Sequence, residues 1–253
     1  MTALLDHDSL IDRTVTEIGR LASAADGTDP AVPVPSCPEW TLSKLLKHTG
    51  TVHRMVTEMV AARATERIDH RALDLGLPDT ESGYPAWLAA GAEPLAAALR
   101  EAGPDAPVWA WGPEPTSGWW ARRMLHETTV HRADGELATG RVPEIDPVTA
   151  ADGIDELLAF VPTARAERLA GLPAGQTLHL HATDGDGEWL IRFTGQPGGI
   201  EVSHGHAKAT TAVRGPADRL LLFAYGRIPS GDNSLTVFGD PELAAAWQGK
   251  AAL

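Results

Sequence analysis

Residues 119–134 read WWARRMLHETTVHRAD, a run that places an acid and a base on one face of a predicted helix. Glu127 and His131 stand four residues apart. Because each residue turns an α-helix by about 100°, these two side chains lie about 40° apart on the same face. Trp120 and Met124 share that face, so it is expected to point into a core. A buried carboxylate must be paired or coordinated. The spacing therefore indicates a Glu–His hydrogen bond, an ion pair with a neighbouring arginine, or two ligands of one metal ion.

The first half of the chain has the period of α-helices, interrupted by loops rich in Pro and Gly. Helices of this length joined by short connections predict a bundle, in which ligand sites lie in the interior. A Pro-containing stretch at residues 141–147 is expected to be a linker. The predicted helices cover residues 4–24, 42–63, 84–101 and 118–139.

The second half changes to a mixed pattern of helices and strands. Residues 177–183 and 188–193 alternate apolar and polar side chains around a Gly/Asp turn, which predicts a β-hairpin. We therefore expect an α+β fold, with a helical domain over residues 1–142 and a small α+β domain over residues 143–253. The remaining predicted elements are helices at 148–169, 216–225 and 241–248 and strands at 199–202, 209–213 and 234–238.

The composition restricts the class of partner and the compartment. A formal net charge of −13 over 253 residues argues against a nucleic acid or an anionic membrane surface as the main partner. No apolar run approaches the roughly 20 residues that would span a bilayer. The N-terminus lacks a basic stretch followed by an apolar one, so no signal peptide is expected and the predicted location is the cytoplasm.

The single cysteine, Cys37, excludes an internal disulfide and a cysteine zinc cage. It lies between Ser36 and Pro38, where a structural role is more common than a catalytic one, and no nearby cation would lower its pKa. Any metal must therefore be held by histidines and carboxylates, and thiol chemistry would need a thiol from outside the chain.

The other histidines near the pair are less easily placed. His126 and His131 are five residues apart, about 140° around a helix, so they cannot share a metal; His126 is expected to be a capping, packing or surface residue. On the second helix, His48 and His53 are also five apart. Both lie at edges of its apolar arc, and geometry alone does not choose between them.

Several stretches resemble the mycothiol-dependent maleylpyruvate isomerase family. In the first half these are VPSCPEWT at 34–41, LLKHTGTVHR at 45–54 and the run at 119–134. In the second half they are LHLHATD at 178–184, AVRGPA at 212–217 and VFGD at 237–240. The resemblance implies a DinB-like four-helix metal-binding bundle followed by a small α+β, sterol-carrier-like domain.

The resemblance also implies a site. In the family a metal, usually Zn²⁺, is held by one histidine from the second helix and a Glu-x3-His pair from the fourth, which here are His48, Glu127 and His131. Asp134 is then a candidate for orienting an imidazole, with a surface acid as the alternative. The implied cosubstrate is mycothiol, the thiol of actinobacteria, with a small electrophile as the substrate.

Anionic substrates need cations, and the family uses an arginine from the second domain. Arg214 and Arg227 are favoured because they lie at element ends beside Gly or Pro, with a solvated surface role as the alternative. Two same-face histidine pairs, His179/His181 and His204/His206, are expected to be polar strand or surface residues rather than a second metal site. A tryptophan set that walls the pocket or packs in the core comprises Trp109, Trp111, Trp119 and Trp120.

Several reactions begin with attack of a metal-activated nucleophile on an electrophilic carbon, so the predicted site leaves several functions open. A zinc-activated thiolate predicts either maleylpyruvate-type cis–trans isomerisation or S-transfer, depending on whether the thiol is expelled. The competing classes are a metal-dependent hydrolase, in which water replaces the thiol, and a non-catalytic protein that binds a metal or a small ligand.

Overall fold

The structure, a computed structural model, describes residues 5–112 and 114–251, and these form two compact units that divide between Pro143 and Glu144. The first unit is helical. The predicted start of its first helix, Leu4, lies outside the described residues. The helices are α1 (His7–Ala25), α2 (Leu42–Ala61), α3 (Tyr84–Ala90), α4 (Ala92–Ala102) and α5 (Ser117–Ala138), with 3₁₀ turns at His70–Ala72 and Glu81–Gly83.

The prediction of one helix over residues 84–101 is wrong in one respect, because the helix is interrupted at Gly91 and forms α3 and α4. Pro94 accounts for the break. A proline inside a continuous helix has no N–H to donate to the carbonyl four residues earlier, and its ring clashes with that carbonyl. A Cβ at Gly91 would lie 3.0 Å from Nη1 of Arg54, so a larger residue here would require a small shift of that side chain.

The core of the first unit lies between α5 and the helices around it. The helix α5 packs against α1, α2 and α4. Its Trp120, Met124 and Leu125 are completely buried, and Ile18 of α1 and Val56 of α2 lie in the same core.

Ion pairs hold α5 in register with α1. The guanidinium of Arg132, which is fully buried, donates from Nε to Glu17 Oε2 over 2.7 Å and from Nη1 to Glu136 Oε2 over 2.5 Å. Each buried charge thus has a partner, as burial requires.

Both helices that carry the predicted site begin in the same way. Thr41 caps α2 by accepting a hydrogen bond from the Lys44 N–H over 3.4 Å, and Thr116 caps α5 by accepting from the Trp119 N–H over 3.2 Å. Each threonine also forms an isolated β-bridge, to Pro33 and to Pro107 respectively. The bridge and the cap together fix where each helix starts.

The second unit is α+β, which confirms the predicted fold class. Its sheet has the strand order β3-β2-β1-β4-β5, in which β1 and β4 are parallel and the other pairs antiparallel. The predicted hairpin is confirmed as β1 and β2. The strands are β1 (Thr177–Ala182), β2 (Glu188–Phe193), β3 (Ile200–His204), β4 (Thr211–Gly215) and β5 (Thr236–Gly239).

One face of this sheet is apolar and covered by helices. Leu178, Leu180, Trp189, Ile191 and Val213 are completely buried on it, and α8 and α9 pack against the strands. The predicted helix over 148–169 is divided where Arg165 leaves helical geometry. The helices are α6 (Pro147–Ala164), α7 (Ala166–Leu169), α8 (Ala217–Ala224) and α9 (Pro241–Ala251).

Among the described helices, none combines the length and the apolar character that crossing a bilayer would require.

Close packing at Gly50 of α2 yields a stability prediction. A Cβ there would lie 2.2 Å from the Trp87 ring, which is held by an indole N–H bond to the Leu75 carbonyl and by Arg54 3.9 Å from its centroid. Gly50→Ala is therefore expected to destabilise the first unit by about 1–3 kcal/mol in urea unfolding, in spite of the better helix propensity of alanine.

Gly19 of α1 is the matched control, because a Cβ at this helical position meets nothing within 4 Å. Gly19→Ala is expected to stabilise the protein by up to about 1 kcal/mol. Equal stabilisation by the two substitutions would contradict the close contact at Gly50.

Candidate metal centre

Three side chains from two helices meet in the first unit. His48 projects from α2, and Glu127 and His131 project from α5. The Nε2 atoms of both histidines lie 3.2 Å from the same oxygen, Oε1 of Glu127, and the two imidazole rings are 5.1 Å apart between centroids. One ligand atom from each residue lies within 4.8 Å of the others, so the three form a group that could hold a metal ion.

The donor set fits Zn²⁺. Ligand atoms about 2.1 Å from a tetrahedral zinc are about 3.4 Å apart, close to the 3.2 Å that separates Glu127 Oε1 from each imidazole nitrogen. Two imidazoles and one carboxylate are the three-ligand set of many catalytic zinc sites, which keep a position for water or substrate. The assignment of these three residues as ligands stays a prediction.

Glu127 is held as a carboxylate. Burial raises its pKa, but hydrogen bonds with His131 and His48 and the nearby charge of Arg123 outweigh burial and hold the pKa well below its usual value. Arg123 donates from Nη2 to Oε2 over 3.1 Å. This bond occupies the oxygen that the histidines do not use, so the carboxylate presents Oε1 to the imidazoles.

His131 is oriented from its other ring nitrogen. Nδ1 lies 2.9 Å from Asp134 Oδ2, which leaves Nε2 directed at Glu127. Burial lowers the pKa of His131, but the two carboxylates more than offset it and raise the pKa to about 9 in the metal-free protein. Trp40 stacks on this imidazole with ring centroids 5.9 Å apart and planes inclined by 24°.

Asp134 is fully buried, so the alternative of a surface acid is wrong. Its two oxygens accept hydrogen bonds from the turn that precedes α2: Ser36 Oγ donates to Oδ1 over 2.5 Å and Cys37 Sγ to Oδ2 over 3.4 Å. Sequence reasoning did not connect this turn with the site. The only signal for it was that the Ser-Cys-Pro-Glu-Trp stretch belongs to the family resemblance.

The structure separates the two histidines of α2. His53 is completely buried and is not a member of the cluster, and its Nε2 lies 2.9 Å from Thr128 Oγ1. The Thr128 hydroxyl donates to the Met124 carbonyl over 2.6 Å, so His53 donates to that hydroxyl from Nε2. His53 is therefore a hydrogen-bonded core residue. His126 is also fully buried, which makes it a packing residue and not a surface residue.

The favoured arginines lie in the second unit. Arg214 is an exposed residue of β4, whose Cα pairs with that of His181 across the parallel ladder. Arg227 follows α8, donates from Nη1 to the Tyr225 carbonyl over 2.9 Å, and has its guanidinium 5.9 Å from the Tyr225 ring. Their role in binding anions stays a prediction.

The tryptophan set forms one cluster in the first unit. Trp119 and Trp120 are in edge contact at 4.8 Å, and Trp111 contacts Trp109, Trp119 and Trp120 at 5.6, 6.2 and 5.0 Å. Trp120 is fully buried and donates from Nε1 to the Trp109 carbonyl over 2.6 Å. Core packing therefore explains Trp120, whereas Trp111 is 37% exposed.

Comparisons with known proteins agree with this architecture. Residues 11–135 match the model described as the mycothiol maleylpyruvate isomerase N-terminal domain, and residues 149–246 match the MDMPI C-terminal domain of the same family. Among curated proteins, no match was found.

Two solved structures share the fold. One is a histidine-to-alanine mutant of the mycothiol-dependent maleylpyruvate isomerase, with a TM-score of 0.62 and 15% identity. The other is the crystal structure of the mycothiol-dependent maleylpyruvate isomerase, with a TM-score of 0.58 and 17% identity. Each comparison covers 92% of this chain and 93% of the other.

The two units and the two domain models define a protein with a helical domain followed by a small α+β domain. The chain belongs to the mycothiol-dependent maleylpyruvate isomerase family.

The burial of His53 generates a prediction about pH. Desolvation lowers its pKa from 6.5 to about 3. Between these values the unfolded chain holds more protons than the folded one, so the free energy of unfolding falls as the pH is lowered. For the metal-free protein we expect His53 to account for a loss of about 3 kcal/mol between pH 6.5 and pH 4.

His53→Gln keeps a donor for Thr128 but does not titrate. Urea unfolding at a series of pH values is expected to show a shallower decline for this variant than for the unsubstituted protein. Parallel declines in the two proteins would mean that His53 takes up its proton equally well in the folded state.

Proposed function

We propose that this chain is a mycothiol-dependent metalloenzyme. In this proposal His48, Glu127 and His131 hold a divalent metal, Zn²⁺ in the first instance, which activates the mycothiol thiol toward an electrophilic small molecule. The observation that carries the proposal is the convergence of two imidazole nitrogens on one oxygen of Glu127, each at 3.2 Å. When bound there, zinc supplies the positive charge that keeps a thiol ligand deprotonated near neutral pH.

The surroundings of the three ligands support a preorganised site. Arg123 fixes the rotation of the Glu127 carboxylate by holding Oε2, and Asp134 fixes the ring of His131 by accepting from Nδ1. A hydrogen bond from a ligating imidazole to a carboxylate sets the tautomer and raises ligand basicity. The ligands would thus need little rearrangement to bind the ion.

The site is open on one side. The side chain of His48 is 39% exposed and that of Glu127 is 23% exposed, whereas that of His131 is 10% exposed. An incoming thiol can therefore approach from the side of His48. The flat face of Trp40 covers the His131 ring and keeps water from part of the site.

The reactive thiol is proposed to come from outside the chain. The one cysteine, Cys37, donates its thiol hydrogen to the buried carboxylate of Asp134. A thiol that makes such a hydrogen bond serves to position Asp134. The matching structures are of an isomerase that depends on mycothiol, which is the reason for naming this thiol.

The proposed reaction is a maleylpyruvate-type cis–trans isomerisation. The thiolate adds to one carbon of the activated double bond, and the electron pair moves to the adjoining carbonyl. Rotation follows about the resulting single bond, and expulsion of the thiolate restores the double bond in the trans form. If the adduct is protonated and released instead, the outcome is S-transfer. Arg214 and Arg227 are the cations that we propose for the carboxylates of the substrate or the thiol.

The test is turnover of maleylpyruvate by zinc-loaded protein, with and without mycothiol. We expect isomerisation only when the thiol is present. His48→Ala is expected to lower kcat/KM by at least about 100-fold, since replacing even an indirect partner of a metal ligand typically costs 10–100-fold. His53→Gln is the matched control, as it alters a histidine of the same helix outside the cluster, and it should retain activity.

Each other outcome selects a different function. Turnover of esters or amides without thiol would identify a metal-dependent hydrolase and overturn the thiol proposal. A stable thioether product would identify S-transfer. Zinc and mycothiol binding without turnover of maleylpyruvate, esters or amides would identify a non-catalytic binding protein.

A further inference from the structure

A second cluster of metal-ligand side chains lies in the α+β unit. His179 and His181 alternate on β1, so they share one face of the sheet. Glu188 of β2 is the cross-strand partner of His181 in the antiparallel register. His206 follows the end of β3 and reaches the same place. One ligand atom from each of His179, Glu188 and His206 lies within 4.8 Å of the others.

The distances show that the cluster is centred on Glu188. Its Oε1 lies 2.6 Å from His181 Nδ1 and 3.2 Å from His206 Nδ1, and its Oε2 lies 4.0 Å from His179 Nε2. The three imidazoles contact one another edge to face, with centroids 5.7 to 6.0 Å apart. One carboxylate thus faces three imidazoles.

His179 supplies an independent sign that a ligand is expected. It is only 3% exposed, and its Nε2 is buried without a hydrogen-bond partner although it is directed toward the Glu188 carboxylate. A buried imidazole nitrogen that lacks a protein partner and is directed into a polar cluster is one that a bound ion would satisfy.

We propose that His179, Glu188 and His206 form a second divalent-metal site, beside which His181 pairs with Glu188. Imidazole nitrogens favour Zn²⁺ and similar transition metals over Mg²⁺ and Ca²⁺, which prefer sets made of oxygen atoms. The ligands of this second site come from both strands of the β1–β2 hairpin and from the connection that follows β3, so the role proposed for it is structural.

The placement of the ligands defines what the metal would stabilise. His179 belongs to β1 and Glu188 to β2, whereas His206 lies in the connection from β3 to β4. That connection is otherwise tied to β2 near His206 by the backbone bond from the Gly205 N–H to the Glu188 carbonyl, 3.2 Å long. A metal would fasten the exposed connection to the hairpin, and it would stabilise the folded α+β unit by binding it in preference to the unfolded chain.

The test is the zinc stoichiometry of tag-free protein, loaded with Zn²⁺, dialysed against a weak chelator and analysed by plasma mass spectrometry. We expect two equivalents for the unsubstituted protein and one equivalent for His206→Gln and for Glu188→Gln. His206 has a largely exposed side chain, so its replacement is expected to leave the fold intact, which circular dichroism checks. His204→Gln is the matched control, because this histidine of β3 lies 3.6 Å from Asp155 instead, and it should keep two equivalents.

His48→Ala separates this proposal from the one for the first unit. One equivalent retained in His48→Ala and lost when Glu188→Gln is added supports the second site. Zinc retained in His48→Ala would support the second site even if no turnover of maleylpyruvate is found. A single equivalent in the unsubstituted protein that His206→Gln and Glu188→Gln leave unchanged would overturn the proposal. So would a thermal midpoint of His48→Ala that does not rise with added Zn²⁺.

Discussion

The charge of Glu127 is the constraint around which the helical unit is arranged. A carboxylate in the interior of a bundle costs several kcal/mol unless it is paired. Here Oε1 receives the imidazoles of His48 and His131, and Oε2 receives Arg123. Two of these partners stand on the same helix as Glu127 and the third comes from α2, so satisfying one carboxylate fixes how these two helices face each other.

A second buried acid extends this arrangement to the turn before α2. Asp134 accepts a hydrogen bond from Nδ1 of His131, and it also accepts hydrogen bonds from Ser36 and Cys37. The turn ends at Thr41, the N-cap of α2. The cap thereby sets the position of His48, which lies about two helical turns further along α2. One hydrogen-bonded path therefore runs from the turn through Asp134 to His131. It holds the predicted ligand His131 of α5 and also positions the start of α2.

Much of this could be predicted from the sequence because it follows from helical spacing. The Glu127–His131 pair, the β1–β2 hairpin and the α+β class all follow from local patterns. The break at Gly91 differs from the single helix predicted over residues 84–101, because Pro94 cannot donate the hydrogen bond that a continuous helix needs. The choice between His48 and His53 depends on how two helices are rotated against each other, which spacing within one helix does not give. The same reason applies to His206, since only the sheet register and the path after β3 bring it beside Glu188.

Binding of the mycothiol sulfur to a zinc ion at the first site can be measured directly. X-ray absorption at the zinc edge should be measured on a Glu188→Gln variant, which leaves the first site as the zinc position, before and after addition of mycothiol. We expect a nitrogen and oxygen shell at about 2.0–2.1 Å that gains one sulfur at about 2.3 Å when the thiol is added. A shell that stays free of sulfur at saturating mycothiol would mean that this centre does not bind and activate an external thiol.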